Sequence, residues 1–397
     1  MEVEIGRGKK ARRAYGFDDI AIVPSRRTRD PDDVDISWTL GPYRFTLPLL
    51  AAALDGVVSP ETAGVIGKLG GLAVLNLEGL CCRYEDADSQ LEKIAALPKE
   101  TATREMQEIY REPVKPELIA QRIAEIKAHD VPVAASLTPQ RVRRFYGAAL
   151  EAGLDILVIQ GTVVSAEHVS TVSEPLNLKE FIADIDIPVV VGGCASYHTG
   201  LHLMRTGAVG VLVGVGPGAI CTTRGVLGIG VPQATAIADV AAARSQHMLE
   251  TGDYVKVIAD GGMRNGGDVA KAIACGADAV MLGSALARSY EAPGRGFNWG
   301  MATFHPTLPR GARVETQRNG SLQEILTGPA RENDGTFNLM GGLRTSMATT
   351  GYKDIAEFNR AELMVAPALQ TEGKQLQREQ GVGMGANGRA VELVAAE

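Results

Sequence analysis

Eight short apolar runs, rich in β-branched residues and bounded by Gly, Asp or Asn, constrain this chain more than any other feature. They are LPLLAAAL (47–54), LAVLN (72–76), VPVAAS (131–136), DILVIQ (155–160), IPVVVGG (187–193), VGVLVG (209–214), VKVIADGG (255–262) and AVMLGS (279–284). Runs that are apolar throughout, rather than alternating, belong to strands buried on both faces, as in a parallel sheet. Helical patterns such as PETAGVIGKLG, TPQRVRRFYGAALEAG and GDVAKAIACGA fall between most of them. Eight strands in βα alternation predict an α/β fold, a TIM (β/α)8 barrel rather than a doubly wound sheet. A dinucleotide-binding sheet of the latter kind would want GxGxxG after its first strand, and that motif is not found there.

With 397 residues the chain is expected to form one catalytic domain over 1–397. Two segments break the alternation. Residues 77–130 separate strands two and three by more than one helix. Their charged stretch PKETATREMQEIYREPVKPELIAQRIAEIKAHD predicts a small, surface-packed helical insertion. Residues 288–340 follow strand eight, are rich in Gly, Pro, Arg and aromatics, and read as an active-site flap. The segment 366–397 reads as a C-terminal tail, loosely ordered or ordered by a partner.

A net charge of −7 and a pI near 5.6 argue against nonspecific nucleic-acid binding. The five cysteines show neither disulfide-scaffold density nor zinc spacing, which predicts a reducing compartment. The N-terminal residues lack the apolar core of a signal peptide, and no run approaches the length of a membrane span. A cytoplasmic location is the resulting expectation.

TIM barrels carry their sites at the C-terminal ends of the strands, and loops after strands seven and eight commonly bind phosphate. In ADGGMRNGGD (259–268), Gly261 and Gly262 can offer bare backbone N–H groups, and a helix begins near Gly266–Asp268. In MLGSALA (281–287), Gly283 adds an N–H and Ser284 a hydroxyl. Asp260, ending strand seven, suits ribose hydroxyls. Any single glycine is equally explained by a turn with positive φ; the set on neighbouring strand ends favours a bound phosphate.

The stretch GVGPGAICTTR (214–224) follows strand six. It lacks GK[ST], and Pro217 removes a donor, so it is no P-loop. Its carbonyls could instead hold a monovalent cation. Cys221 then stands at the barrel mouth, where a thiolate could attack an electrophilic ring carbon of a nucleotide. Cys275, Cys81 and Cys82 read as small packing residues. His198 and His202 follow strand five and read as caps or packing, and His129, His168 and His247 as surface residues on helices. Trp299 either stacks on a base or packs against the barrel.

GVGPGAICTTR, VPQATAIADVA (231–241), DGGMRNGGDVAKAIACGADAVMLGSALA (260–287) and GGLRTSMATTGYKDIAEF (341–358) resemble the IMP dehydrogenase/GMP reductase family. FDDIAIVPSRRTRDPDDVD (17–35) and LPLLAAALDGVVSPETA (47–63) are similar to its opening. The resemblance spans about 15–365, and residues 77–130 leave no room for the family's regulatory CBS pair. The chain therefore resembles the short, CBS-less dehydrogenase-related branch.

The resemblance implies that Cys221 adds to C2 of the purine of a nucleoside monophosphate, with Thr223 assisting proton transfer. Oxidation of IMP to XMP would send hydride to NAD and leave a thioimidate for water to hydrolyse. One alternative is reduction of GMP to IMP with NADPH, the same thiolate displacing ammonia. Another is a purine-nucleotide-binding protein that keeps the mononucleotide site but has lost turnover, against which the intact Cys221-Thr222-Thr223 argues. Asp260 would hold the ribose diol, Gly262, Gly283 and Ser284 the phosphate, and Met301 and its neighbours the base edge, with Gly218 and Gly261 also among the substrate-binding residues. Carbonyls of Gly216, Gly218 and Cys221 would bind a potassium ion, and the assembly would be a homotetramer. Gln160, Gly161 and Thr162 would meet the dinucleotide ribose.

Several positions depart from the family pattern. A phosphate-binding Ser is Ala219, and Asp-Ser-Ser at the end of strand four is Gln160-Gly161-Thr162. An Asn after the strand-five glycines is Cys194, and Ser-x-Met near strand one is Ala52-Ala53-Leu54. The water-activating Arg-Tyr dyad of the dehydrogenases has no match, which leaves His305, Arg310, Arg313 and Glu315 as substitutes. The reductase-type Glu is also absent, since Ala302-Thr303-Phe304-His305 stands there.

Overall fold

The eight apolar runs close into one parallel barrel. In chain order its strands are β1 Leu49–Ala51, β2 Leu72–Asn76, β3 Ala134–Leu137, β4 Ile156–Gln160, β5 Val189–Cys194, β6 Gly210–Val213, β7 Lys256–Asp260 and β8 Ala279–Leu282. Neighbours pair in sequence order, and β8 closes the ring on β1 with Val280 opposite Leu49. The computed structural model describes residues 2–166, 175–300, 312–366 and 372–383. Strand interiors such as Leu49–Leu50, Ile156–Ile159 and Val211–Val213 are wholly buried, because helices cover the outer face while side chains fill the inside.

The covering helices start and stop where local chemistry dictates. Helix α1 (Pro60–Lys68) begins after Ser59, whose hydroxyl accepts from the Thr62 N–H, with Pro60 in the first turn. Helix α10 (Gly266–Ala274) is capped by Asn265, whose side chain accepts from the Asp268 N–H. Helix α9 (Gln233–Thr251) ends on Gly252 in the left-handed region, where a side chain would be strained. Helices α5 (Val142–Glu151), α6 (Leu178–Ala183) and α7 (Tyr197–Met204) complete the middle of the ring. Ahead of β1, a hairpin of Trp38–Leu40 and Tyr43–Phe45 buries Trp38, Leu40 and Phe45 at the opposite end from the strand C-termini. An exposed hairpin, Glu2–Gly6 with Lys9–Arg12, precedes it and had no apolar signature. Among the described residues no helix is long and apolar enough to cross a membrane.

The extra material between β2 and β3 is narrower than 77–130. Helices α2 (Ala87–Ala96) and α3 (Lys99–Ile109) form it, while α4 (Pro116–Lys127) packs beside α1 and α5 as the barrel's own helix. It is also not merely laid on the surface. Leu80, Leu91, Ile94, Met106, Ile109 and Tyr110 bury a second apolar cluster with Trp299, separate from the barrel core. Charged residues dominate the composition of α3 because its outward face is solvated, and Ala102, Met106 and Ile109 carry the inward stripe.

Candidate active site

A cleft of about 1520 Å³ opens over the C-terminal ends of the strands. Asp260 sits on its floor as the last residue of β7. The fold brings its carboxyl close to the end of β4, where Gln160 Nε2 donates to Asp260 Oδ2 at 3.3 Å. Poor solvation pushes this carboxyl up to about 7, and the Gln160 bond acts in the opposite direction. The backbone beneath it is braced by Gln233, whose Nε2 donates to Val213 O at 2.7 Å and Asp260 O at 3.1 Å. Gln233 thus ties the end of β6 to the end of β7.

Loops after β6, β7 and β8 converge around that floor. Gly261 and Gly262 have φ of +80° and +84°, a region that favours glycine. A Cβ on Gly262 would stand 3.1 Å from Pro217 Cβ, so the loop after β6 rests directly on the loop after β7. Even closer is Gly214, where a Cβ would meet the Asp260 carbonyl oxygen at 2.1 Å. Gly214 is therefore needed for contact between two backbones. Pro217 supplies the apolar face of that contact.

Cys221 follows on the same loop, its N–H donating to Gly218 O at 3.0 Å. Its Sγ lies 3.1 Å from Thr223 Oγ1, and Thr223 is buried at the start of α8 (Thr223–Leu227). A hydroxyl at this distance can donate to a thiolate or accept from a thiol. Burial pushes Cys194 and Cys275 up to about 12, which fits packing residues. The proposed cation ligands Gly216, Gly218 and Cys221 lie on this loop, with Gly218 O already accepting one backbone hydrogen bond. Among the described residues no cluster of His, Cys, Asp and Glu could hold a metal ion, so a cation here would depend on carbonyls.

After β8, Gly283 and Ser284 line the same cleft. Ser284 Oγ accepts from Asn298 Nδ2 at 3.1 Å. Gly261, Gly262, Gly283 and Ser284 thus line the same cleft as Cys221 and Asp260. Gln160, Gly161, Thr162, Thr138, Arg141 and Arg144 line it as well. Glu78 is buried beside Thr138, accepting from its N–H at 2.6 Å and lying 3.3 Å from Arg141 Nε. The guanidinium groups of Arg141 and Arg144 on the lining, the first of them paired with Glu78, suit phosphate groups of a second ligand.

Several expected site residues fall elsewhere. Met301, His305 and Arg310 lie outside the described residues, as does His168. Arg313 is committed to the insertion, donating to Ile94 O at 2.5 Å and Leu97 O at 2.7 Å while stacking over Phe297. Trp299 faces the insertion and is buried there. His247 is buried on α9 rather than exposed, whereas His198 and His202 are exposed on α7. Asn298 gave no sequence signal, while Gln233, Phe17 and Asp18 lie in stretches that carry the resemblance but showed no role of their own, since each acts through contacts distant in the chain.

A model of the IMP dehydrogenase/GMP reductase domain matches residues 14–375. The chain belongs to the IMP dehydrogenase/GMP reductase family. A family member from Corynebacterium glutamicum, solved as an IMP dehydrogenase/GMP reductase-like protein, superposes with a TM-score of 0.88 at 47% identity, over 92% of this chain and 97% of that one. An uncharacterised oxidoreductase of Mycolicibacterium smegmatis is 50% identical over 91% of this chain and 99% of its own length. The inosine-5'-monophosphate dehydrogenase of Methanocaldococcus jannaschii is 26% identical over 91% of this chain and 95% of its own length. In family terms, the loops after β6, β7 and β8 are where this chain keeps the motifs that carried the resemblance.

Proposed function

We propose that this family member is a purine nucleotide oxidoreductase that oxidises IMP to XMP through a covalent adduct on Cys221. The observation that carries the reading is the meeting of a thiol–hydroxyl pair, Cys221 and Thr223, with Asp260 and the glycine-lined loops in one cleft. In this reading the N–H groups of Gly261, Gly262 and Gly283 and the Ser284 hydroxyl hold the phosphate. Asp260 accepts from the ribose hydroxyls. The base then lies across the loop that carries Cys221, whose thiolate adds to C2 while Thr223 donates to the sulfur until attack.

A nicotinamide dinucleotide, NAD in the direction of oxidation, would take the hydride. Gln160, Gly161, Thr162, Arg141 and Arg144, all on the cleft's lining, would receive it. Water then cleaves the C2–S bond of the thioimidate, giving XMP and regenerating the thiol. Potassium on the carbonyls of Gly216, Gly218 and Cys221 would hold the loop in place. A homotetramer in the cytoplasm completes the proposal, as the family resemblance implies.

The test is the near-ultraviolet absorbance of the reduced dinucleotide, followed with IMP, NAD and potassium beside a cuvette of GMP and NADPH. A rise in the first is expected, and Cys221→Ala should abolish it, with a loss of about 10³-fold or more. A fall in the second cuvette alone would make the protein a GMP reductase. Near-normal turnover by Cys221→Ala would remove the thiol from the mechanism.

A further inference from the structure

The segment just after residue 296 faces two ways. Phe297–Asn298 forms a short strand against Val314–Glu315, and Phe297 and Trp299, on either side of Asn298, both pack on the insertion's apolar cluster. Asn298, wholly buried, lies behind the cleft wall and donates to the cleft-lining Ser284 Oγ at 3.1 Å. Trp299 turns to the insertion, where its Nε1 donates to Tyr110 Oη at 2.8 Å. Tyr110 in turn donates to Asp55 on the loop after β1. Asp55 also accepts from Leu80 N at 3.1 Å and Asn76 Nδ2 at 3.4 Å. The apolar cluster of α2 and α3 packs around Trp299.

We propose that Asn298 is a positioning residue for the phosphate of the bound nucleotide, and that Tyr110 and Trp299 hold it in place. The inference rests on the mononucleotide reading given above. A serine hydroxyl has one hydrogen to donate and two lone pairs to receive. The Asn298 amide occupies one lone pair, so the hydrogen of Ser284 is left for an acceptor in the cleft. A phosphate monoester dianion offers only acceptors, and Ser284 meets it already turned to donate.

A second observation fits that role. Asn298 Oδ1 is buried with no hydrogen-bond partner, a costly arrangement unless the other end of the amide is needed. Glycine at position 56 lets the backbone lie close to that oxygen, since a Cβ there would stand only 3.3 Å from it. The insertion thus has a task at the nucleotide site: through Tyr110 and Trp299 it fixes the residue that aims Ser284.

The experiment compares calorimetric affinities of the full-length protein for IMP and for inosine, which differ by the phosphate alone. The wild type is expected to favour IMP. Asn298→Ala should lose about tenfold in IMP affinity and leave inosine unchanged. Asn298→Asp should lose more, because its charge opposes the phosphate. In a double-mutant cycle, Asn298→Ala on a Ser284→Ala background should add little, since both act through one hydroxyl. Tyr110→Phe keeps the ring and removes the tether, and should weaken IMP selectively; it carries the test if the Asn298 variants do not fold.

Equal weakening of IMP and inosine, an unchanged IMP affinity, or additive losses in the cycle would overturn the positioning role. A wild type that binds IMP no better than inosine would overturn the phosphate reading itself, and this inference with it. The two failures are thereby distinguishable.

Discussion

Asp260 bears the largest conflict between folding and function. Its carboxyl is shifted from an ordinary 3.8 to about 7 because the cleft floor solvates the charged form poorly. A raised carboxylate pKa means that the folded protein prefers the protonated form. Above 3.8 the unfolded chain ionises freely while the fold resists, so the empty protein loses stability as pH climbs towards about 7. Asp260→Asn should therefore raise the melting temperature above about pH 7 and change it little in acid. Ligand binding should run the other way, because ribose hydroxyls need an ionised acceptor. IMP affinity should rise as pH passes through about 7 in the wild type and stay flat in Asp260→Asn, by calorimetry across that range. A wild-type affinity indifferent to pH would detach Asp260 from the nucleotide. Asp260, Cys221 and the paired glycines were legible in sequence because strand ends and close backbone approaches leave a local trace. Asn298 and Tyr110 were not, and Gln233 stood out only as part of a motif, because an ordinary amide or phenol gains its role only from a partner far along the chain.

At the level of elements, the loop after β6 and the loop after β7 behave as one unit. Gly262 combines φ of +84° with Pro217 Cβ 3.1 Å from where a side chain would begin. Gly262→Ala should cost about 1–3 kcal/mol by thermal or denaturant unfolding and weaken nucleotide binding, since strain and contact act together. A variant as stable as wild type would mean that the two loops separate easily. The barrel strands were readable because burial on both faces makes them apolar throughout. The border of the insertion was not, because α4 continues the charged, helical character of α3 while belonging to the barrel. Short outer strands such as Glu2–Gly6 were equally silent, being exposed along their whole length.

For the molecule as a whole, the described residues form two apolar clusters of very different size. The barrel core runs continuously through the strands and covering helices, whereas the cluster of α2 and α3 holds seven buried residues, from Leu80 to Trp299. Smaller buried area means less free energy to open, so the insertion should exchange its amide hydrogens before the barrel strands do. Native-state hydrogen exchange read by mass spectrometry checks this, and equal protection of α2, α3 and β5 would sink it. The closure of the ring bears on how the protein is made. β1 finds its second neighbour, β8, only near the end of the barrel sequence, and Ile20–Ile22 pairs with Leu363–Val365 later still. While the chain is still being synthesised, β1 therefore keeps one open edge, and the protein spends that interval with its most aggregation-prone surface waiting for a strand not yet made.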